Sequence, residues 1–443
     1  MTIHTHMITC LLLLTSLGGL LSPPARAAED LLSVYTLARQ ADPVFSAAVA
    51  ARDAALEAVP QSRAVLLPSI GLGGNVSRDR FDPRNDDPTS YATNQTYSVQ
   101  LRQSVYQRDR LVQREQADNE ALRAEAEFST AEQELMTRVA TAYFVVLGAL
   151  DNLEFVSADK EAVGRTLDQA TQRFEVGLTA ITDVHEAQAR YDIAVSELIN
   201  AEKLLDDARE ALREITGETH PEIAILQAEI PLVGPEPAEQ GPWVETALDQ
   251  NPALIAAMAA TEAARNEIEV QRSGHYPSLD LTADYSYRDN RFGGFQDLER
   301  NDSAIGLELN LPLYQGGLVS SRTRQSRHRF TQAQEEQERQ RRATERQTRD
   351  NYRGVITGIS RVKALAQAVV SNETALEAAE TGLEVGTRTT VDVLDAQREL
   401  LRARRDHARA RYDYLLDTLR LKQAAGILDE PDLEAINALL EGK

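Results

Sequence analysis

The chain has 443 residues, yet aromatics make up only 5% of it and there is a single Trp, so it lacks the bulky rings that fill large globular cores. Its formal net charge of −22 argues against a nucleic-acid partner, because a phosphate backbone would repel it. Ala, Glu, Gln and Arg dominate long stretches, the composition of long helices with narrow apolar seams.

In chain order, the first signal is an export leader. The run ITCLLLLTSLGGLL (8–21) is a short apolar core, and ARA before Ala28 suits small-x-small cleavage after Ala27. Only His4 and His6 stand where a leader usually carries Lys or Arg. Removal of residues 1–27 would take away Cys10, the only cysteine, and a cysteine-free exported chain fits the bacterial envelope. No later segment reads as 18 consecutive apolar residues, so any membrane crossing is expected to use strands.

A helix is expected over about 44–66, then a strand pair within 69–105. SIGLGGNVS (69–77) is the weaker strand, with Ile70, Leu72 and Val76 on its apolar side. TYSVQLRQSV (96–105) sets Tyr97, Val99, Leu101 and Val105 against Ser98, Gln100, Arg102 and Ser104. Tyr97 and Tyr106 bracket this second strand, about 23 Å apart at ~3.4 Å per residue with a tilt of about 40°, close to the spacing of aromatic girdles. A very long helix follows (about 108–173), then the turn phrase FEVGLTAITDVHEAQ (174–188) and a helix over about 183–216.

The segment IPLVGPEPAEQGP (230–242) is a Pro/Gly/Glu-rich join, and beyond it the plan repeats. A helix (252–275) leads to strands SLDLTADYSY (278–287) and AIGLELNL (304–311), a second long helix (316–383), the echo LEVGTRTTVDVLDAQ (383–397) and a last helix (390–426). Asp42, Pro68, Tyr143, Gly177 and Gly217 return 209 residues later as Asn251, Pro277, Tyr352, Gly386 and Gly426, and Tyr106 returns 208 later as Tyr314. The chain is thus a tandem duplication: 28–229, a join, 243–427, and a C-terminal segment 428–443. The basic run RQRRATERQTR (339–349), flanked by Glu335, Glu336 and Glu338, reads as a solvated helix face.

The helices keep a seven-residue beat. Val355, Val362, Val369, Leu376 and Leu383 mark one seam. Val184, Tyr191, Leu198, Leu205 and Leu212 mark another, echoed by Val393, Leu400, Tyr414 and Leu421 and broken by His407. Such a beat implies left-handed supercoiling. A 66-residue helix is ~100 Å long, and the two shorter helices of each half together span ~86 Å, so one long helix beside two short ones is the expected unit.

Each strand runs about 9–11 residues, the length that crosses a bilayer when tilted. Four strands cannot close a membrane barrel, and an open edge in lipid leaves backbone groups unpaired. If these strands form a membrane barrel, the chain must oligomerise, and a dimer with eight strands and a trimer with twelve both satisfy closure; a soluble two-layer sheet would also alternate this way.

The phrases FEVGLTAITDV, LEVGTRTTVDVLDAQ, LPLYQGG (311–317), ITGETHPE (215–222) and GILDEPDLEAIN (426–437) together resemble the TolC family of outer-membrane channel proteins, over the whole mature chain. The resemblance implies a fold that is mainly α with a membrane β-barrel portion: a homotrimer with a twelve-stranded barrel in outer-membrane lipid, a hollow α-barrel in the periplasm, and an equatorial region from the join and the C-terminus. It implies an exit duct for efflux or type I secretion that docks a periplasmic adaptor and an inner-membrane ABC or proton-driven pump, with no cofactor.

It also assigns residues. Gly177 and Gly386 would form the tip turns and the adaptor-docking end. Asp392 and Asp395 would line an acidic, cation-favouring entrance; from spacing alone, Asp392 reads as the cap of the last helix, with Asp395 in its first turn. Thr182 and Asp183 would be gate partners of Arg388, whereas spacing alone makes Asp183 a cap boxed with Glu186. Leu383 stands where the family often has a gate Tyr. Arg102, Asp280, Asp284 and Glu308 are expected to face the lumen.

Two other classes fit the sequence less well. His185, His220, His275, His328 and His407 show no metal-ligand spacing, and no GxSxG or P-loop lysine is present, which disfavours an enzyme. A soluble periplasmic coiled-coil or adaptor protein fits the heptads but leaves the four strands unexplained.

Overall fold

A computed structural model describes residues 28–82, 89–292 and 298–441, so the leader lies outside the described residues. The chain order is α1 (Leu31–Ala41), α2 (Pro43–Leu56), α3 (Ala58–Ala64), β1 (Ser69–Phe81), β2 (Ser90–Tyr106), α4 (Arg108–Glu175), α5 (Ile181–Thr216) and β3 (Ile225–Leu226). It continues with α6 (Gln240–Gln250), α7 (Pro252–Arg272), β4 (Ser278–Phe292), β5 (Leu298–Asn310), α8 (Leu318–Glu384), α9 (Thr390–Ala425), α10 (Glu430–Asn437) and β6 (Leu440–Glu441).

The duplication is visible element by element. α5 and α9 each span 36 residues, 209 apart. The echoed Asp42 and Asn251 are the N-caps of α2 and α7: Asp42 accepts from Phe45 N at 3.1 Å, Asn251 from Leu254 N at 3.1 Å, and each is followed by Pro at the first helical position. Gly217 and Gly426 are the left-handed residues that end α5 and α9, at φ 73° and 79°.

Sequence reasoning missed α1 and α6, which are also 209 apart, and treated Gln240–Pro242 as loop. Few letters match between the two helices. The buried positions do: Val34, Tyr35 and Ala38 correspond to Trp243, Val244 and Ala247. The helix expected over 44–66 is likewise two pieces, α2 and α3, interrupted at Glu57.

α4 and α5 form one antiparallel hairpin and α8 and α9 another. α2, α3 and α7 lie along the N-terminal half of α4, with α7 between α4 and α8, which is the expected long helix beside shorter ones. Val355, Val362, Leu205, Leu212, Val393, Leu400, Tyr414 and Leu421 are buried as their seven-residue spacing requires. Towards the tips Val184, Tyr191, Leu198, Val369, Leu376 and Leu383 are only half-buried. A second seam of Ala187, Ala194, Ala201 and Ala208 on α5, mirrored by Ala403, Ala410 and Ala424 on α9, is also buried and lets the paired helices approach closely. His407 interrupts the first seam beside a cavity of about 670 Å³, which it lines with Asp151, Arg411 and Tyr412. Burial, reinforced by the Arg411 charge, lowers its pKa.

The four long strands form one antiparallel sheet in the order β1-β2-β4-β5, with β1 and β5 as open edges. They run 13, 17, 15 and 13 residues, longer than expected, so Tyr97 sits mid-strand rather than at an end. Its ring stacks on Tyr287 at 6.4 Å. One sheet face carries Ile70, Leu72, Val99, Tyr285, Ile305, Leu307 and Leu309, all exposed. Tyr97 and Tyr106 are nine residues apart, which in a regular strand puts them on opposite faces. A bulge between Ser104 and Tyr106 absorbs Val105 and brings Tyr106 opposite Leu279, back on the apolar face.

Between sheet and tips lies the main core. Tyr143 donates to Ala224 O at 2.7 Å, and its repeat partner Tyr352 donates to Ala238 O. Tyr414 hydroxyl donates to Val233 O and accepts from Val233 N, both at 2.9 Å, and Trp243 Nε1 donates to Pro237 O at 2.9 Å. β3, just before the join, pairs with β6, so the end of the first repeat and the C-terminal segment are tied together across the bundle. Contrary to the sequence expectation, α4 contains an 18-residue window of mean hydropathy 1.5, apolar enough to cross a membrane by length and composition. Its Leu135, Val139, Tyr143, Phe144, Val146 and Leu147 belong to this core instead.

Candidate functional site

The two tips are built alike. α4 ends in a reversal with Gly177 at φ 78° and Leu178 N bonded to Arg173 O at 2.8 Å; α8 ends with Gly386 at φ 76° and Thr387 N bonded to Gly382 O at 2.8 Å. Neither glycine has a neighbour that a Cβ would meet. The left-handed backbone alone requires Gly there. Phe174, Val176, Leu178, Ile181 and Val385 are exposed around the tips.

Asp392 does not cap α9. Thr389 does, and Asp392 is the third helical residue of a capping box: its N donates to Thr389 Oγ1 at 3.2 Å, while Thr389 N donates to Asp392 Oδ2 at 2.8 Å. The Thr389 N–H, then the Thr389 hydroxyl and the Arg388 charge, hold the Asp392 carboxyl below the usual aspartate range.

Asp183 holds the same place in α5, and the box expected with Glu186 is not formed. The N-cap there is Ala180, which has no side-chain oxygen to offer, and Asp183 accepts instead from the Thr179 hydroxyl, with Thr182 Oγ1 at 3.4 Å. The duplicated helix thus starts on the same residue of the repeat but is capped differently.

Arg388 lies 3.6 Å from Asp392 on its own hairpin, and Asp395 is reached by Arg190 of α5 at 3.0 Å. This second pair joins the two hairpins of one protomer, and sequence reasoning missed it because Arg190 and Asp395 are 205 residues apart. Within the protomer, then, the structure brings Arg388 to Asp392 and leaves Asp183 with the hydroxyls of Thr179 and Thr182. Leu383 lines a cavity of about 520 Å³ between the hairpins, where Phe155, Leu376, Val393 and Leu400 sit together with the charged Asp159, Arg165, Glu380 and Arg404. Gly382 was also missed. A Cβ on it would meet Arg388 Cγ at 2.5 Å, so only Gly lets the arginine stem cross the last turn of α8.

At the other end, Arg102, Asp280, Asp284 and Glu308 share the sheet face opposite the apolar one, as expected from alternation. Asp280 is not an open carboxylate: Arg102 donates to it at 2.8 Å and Gln107 at 3.2 Å, and its side chain is 5% exposed. Among the described residues no group of three His, Cys, Asp or Glu side chains is placed to hold a metal ion.

Comparison with known proteins agrees with this geometry. The model of the outer membrane efflux protein family matches residues 34–218 and again 243–427, the two repeats. The chain is 42% identical to the outer membrane protein TolC of Vibrio cholerae serotype O1, over 94% of each chain. To the Escherichia coli K12 protein of the same name it is 38% identical, over 93% of this chain and 85% of that one. Its fold matches the crystal structure of the outer membrane protein VceC from Vibrio cholerae with a TM-score of 0.76 at 22% identity, covering 89% of this chain and 96% of that one. The chain belongs to the outer membrane efflux protein family, as an outer-membrane exit duct of the efflux or type I secretion kind.

Proposed function

We propose that three copies close the sheet into a twelve-stranded barrel, stand the paired hairpins beneath it as a periplasmic tunnel, and gate that tunnel at the tips. The observation that carries this is the sheet itself: four strands with an exposed apolar face on one side, a charged face on the other, and two open edges. Unpaired strand edges in lipid cost several kcal/mol per polar group, so closure with further copies is the low-energy solution. The charged face then lines water, with Arg102, Asp280, Asp284 and Glu308 tuning what passes.

At the tips, Asp392 and Asp395 of three copies gather six carboxylates into an entrance that favours cations. Arg388, with Thr182 and Asp183 of the neighbouring hairpin, latches the entrance shut. Exposed ion pairs are worth less than ~1 kcal/mol each, which suits a latch that must open. Leu383 contributes apolar packing where the family often uses a hydrogen-bonding Tyr. The exposed apolar tips around Gly177 and Gly386 are the surface for a periplasmic adaptor, through which an ABC or proton-driven pump of the inner membrane delivers cargo.

The test is electrical. In planar bilayers the wild-type trimer should show a small resting conductance that di- or trivalent cations block from the periplasmic side, and Asp392→Ala with Asp395→Ala should relieve that block by an order of magnitude or more in blocking concentration. A double variant blocked as strongly as wild type would remove these carboxylates from the entrance.

A further inference from the structure

The exposed arginines at the top of α8 have no side-chain partners among the described residues, although arginines lower on the same helix do. Between Leu309 and Gln334 the sequence contains no Asp or Glu but carries Arg322, Arg324, Arg327 and Arg329. All four are exposed, and none makes an ion pair or side-chain hydrogen bond among the described residues. Further down α8, Arg339, Arg341, Arg342, Arg346 and Arg353 are each matched to a carboxylate three or four residues away. In a chain of net charge −22, four clustered arginines without carboxylates are a local reversal of sign.

The position of the cluster identifies what it meets. Leu311, Leu313 and Tyr314, which link β5 to α8, are 50%, 88% and 86% exposed, so the apolar band of the sheet continues to the start of the helix. The arginines follow at four to eleven residues beyond Leu318, about 6–17 Å further along at 1.5 Å per residue. The headgroup layer of a bilayer is about 5–8 Å thick on each side of the hydrocarbon. Helical side chains lean towards the N-terminus, here towards the membrane, and an arginine stem snorkels its charge several ångströms the same way.

The helix wheel sorts the four. Val319, Thr323 and Ser326 form the buried stripe of α8; Arg322 and Arg329 fall on one flank of it and Arg324 and Arg327 on the other. Arg322 lines a cleft with Gln107 and Ser278, and Gln107 donates to Asp280 on the charged sheet face. That flank is therefore lumenal, and Arg324 and Arg327 face outward, beneath the lipid-facing band.

We propose that Arg324 and Arg327 bind the phosphates of anionic phospholipids in the periplasmic leaflet of the outer membrane, so that each trimer wears a belt of held lipid that sets its depth. The occupant is a lipid headgroup rather than free phosphate, because the charges sit directly under an exposed apolar and aromatic rim. This rests on the reading of the sheet as membrane-spanning.

The full mature trimer is to be reconstituted in nanodiscs of phosphatidylethanolamine with and without phosphatidylglycerol, and the lipid retained after detergent extraction counted by native mass spectrometry. Phosphatidylglycerol should be enriched on wild type. Each basic residue near such a surface contributes about a factor of five, so the doubly substituted Arg324→Gln, Arg327→Gln protein should lose at least about five-fold of that enrichment. Arg324→Lys with Arg327→Lys should keep most of it, and Arg341→Gln with Arg342→Gln, on the paired stretch, should keep all of it. Undiminished enrichment in the Gln variant overturns the proposal. So does loss of the heat-stable trimer of that variant in lipid-free detergent, which would make a carboxylate of a neighbouring copy the true partner. Wild type that fails to enter bilayers at all sinks the membrane-spanning reading, and the proposal with it.

Discussion

Arg388 depends on a residue whose side chain is a single hydrogen. Gly382 lies in the last turn of α8, its carbonyl accepts from both Thr387 N and Arg388 N, and the Arg388 stem crosses where a Cβ would stand. Gly382→Ala must displace the Arg388 stem, and with it the guanidinium that the proposed latch offers to Thr182 and Asp183 of the neighbouring hairpin, while Ala is the better helix former by about 1 kcal/mol. The variant should therefore fold as stably as wild type or more so, yet leak. Its resting conductance in planar bilayers should rise towards that of Arg388→Ser; a Gly382→Ala channel as closed as wild type while Arg388→Ser leaks would separate this glycine from the latch. Sequence inspection passed over Gly382 because a lone glycine inside a helical pattern carries no sign of what crosses it. The tip residues Gly177, Gly386, Asp392 and Asp395 were legible because their phrase is written twice. The pairing of Arg190 with Asp395 was not, since nothing in a seven-residue beat tells which seams from different hairpins face each other.

The helices obey two interleaved seven-residue seams, and only the bulky one stands out in the sequence. Ala187, Ala194, Ala201 and Ala208 look like ordinary helix-favouring composition until the structure buries all four. Ala201 is 1% exposed, so Ala201→Leu forces extra methylenes into a closed interface. A cost of ~1–3 kcal/mol is expected, read as a lowered thermal midpoint of the helical circular dichroism signal. Ala211→Leu, at an exposed site on the same helix, should leave that midpoint nearly unchanged. Equal effects at both sites would mean that the alanine seam is not a packing surface. The strands taught a related lesson. Alternation placed every lumenal candidate on one face, but the bulge that returns Tyr106 to the apolar side adds a residue without altering residue types, so periodicity alone could not locate it. α1 and α6 escaped because each is 11 residues long and their shared pattern lies in burial rather than identity.

At the scale of the whole molecule, the sheet order β1-β2-β4-β5 is antiparallel throughout, so β1 and β5 run in opposite directions. A ring of copies can then join β1 of one to β5 of the next with the same antiparallel hydrogen bonding used inside each protomer, and no strand need reverse. An even strand count per copy makes this closure available to any number of copies, so topology permits a ring and leaves its size to curvature. Cross-linking can count it. Cys10 is the only cysteine of the sequence, so in a chain that also carries Cys10→Ser, Leu72→Cys on β1 and Leu307→Cys on β5 would be the only thiols. Both side chains are on the exposed apolar face, 84% and 67% exposed in the single copy. Within one protomer they are separated by two intervening strands at about 4.8 Å per step, so a short bifunctional thiol reagent reaches between copies far more readily than within one. Treatment of the assembled protein should give a denaturant-resistant ladder ending in a closed trimer, while either single-cysteine variant should stop at the monomer. A ladder ending at two rungs would make the barrel eight-stranded, and one that never exceeds a single rung would leave both sheet edges unpaired and refute the closed conduit.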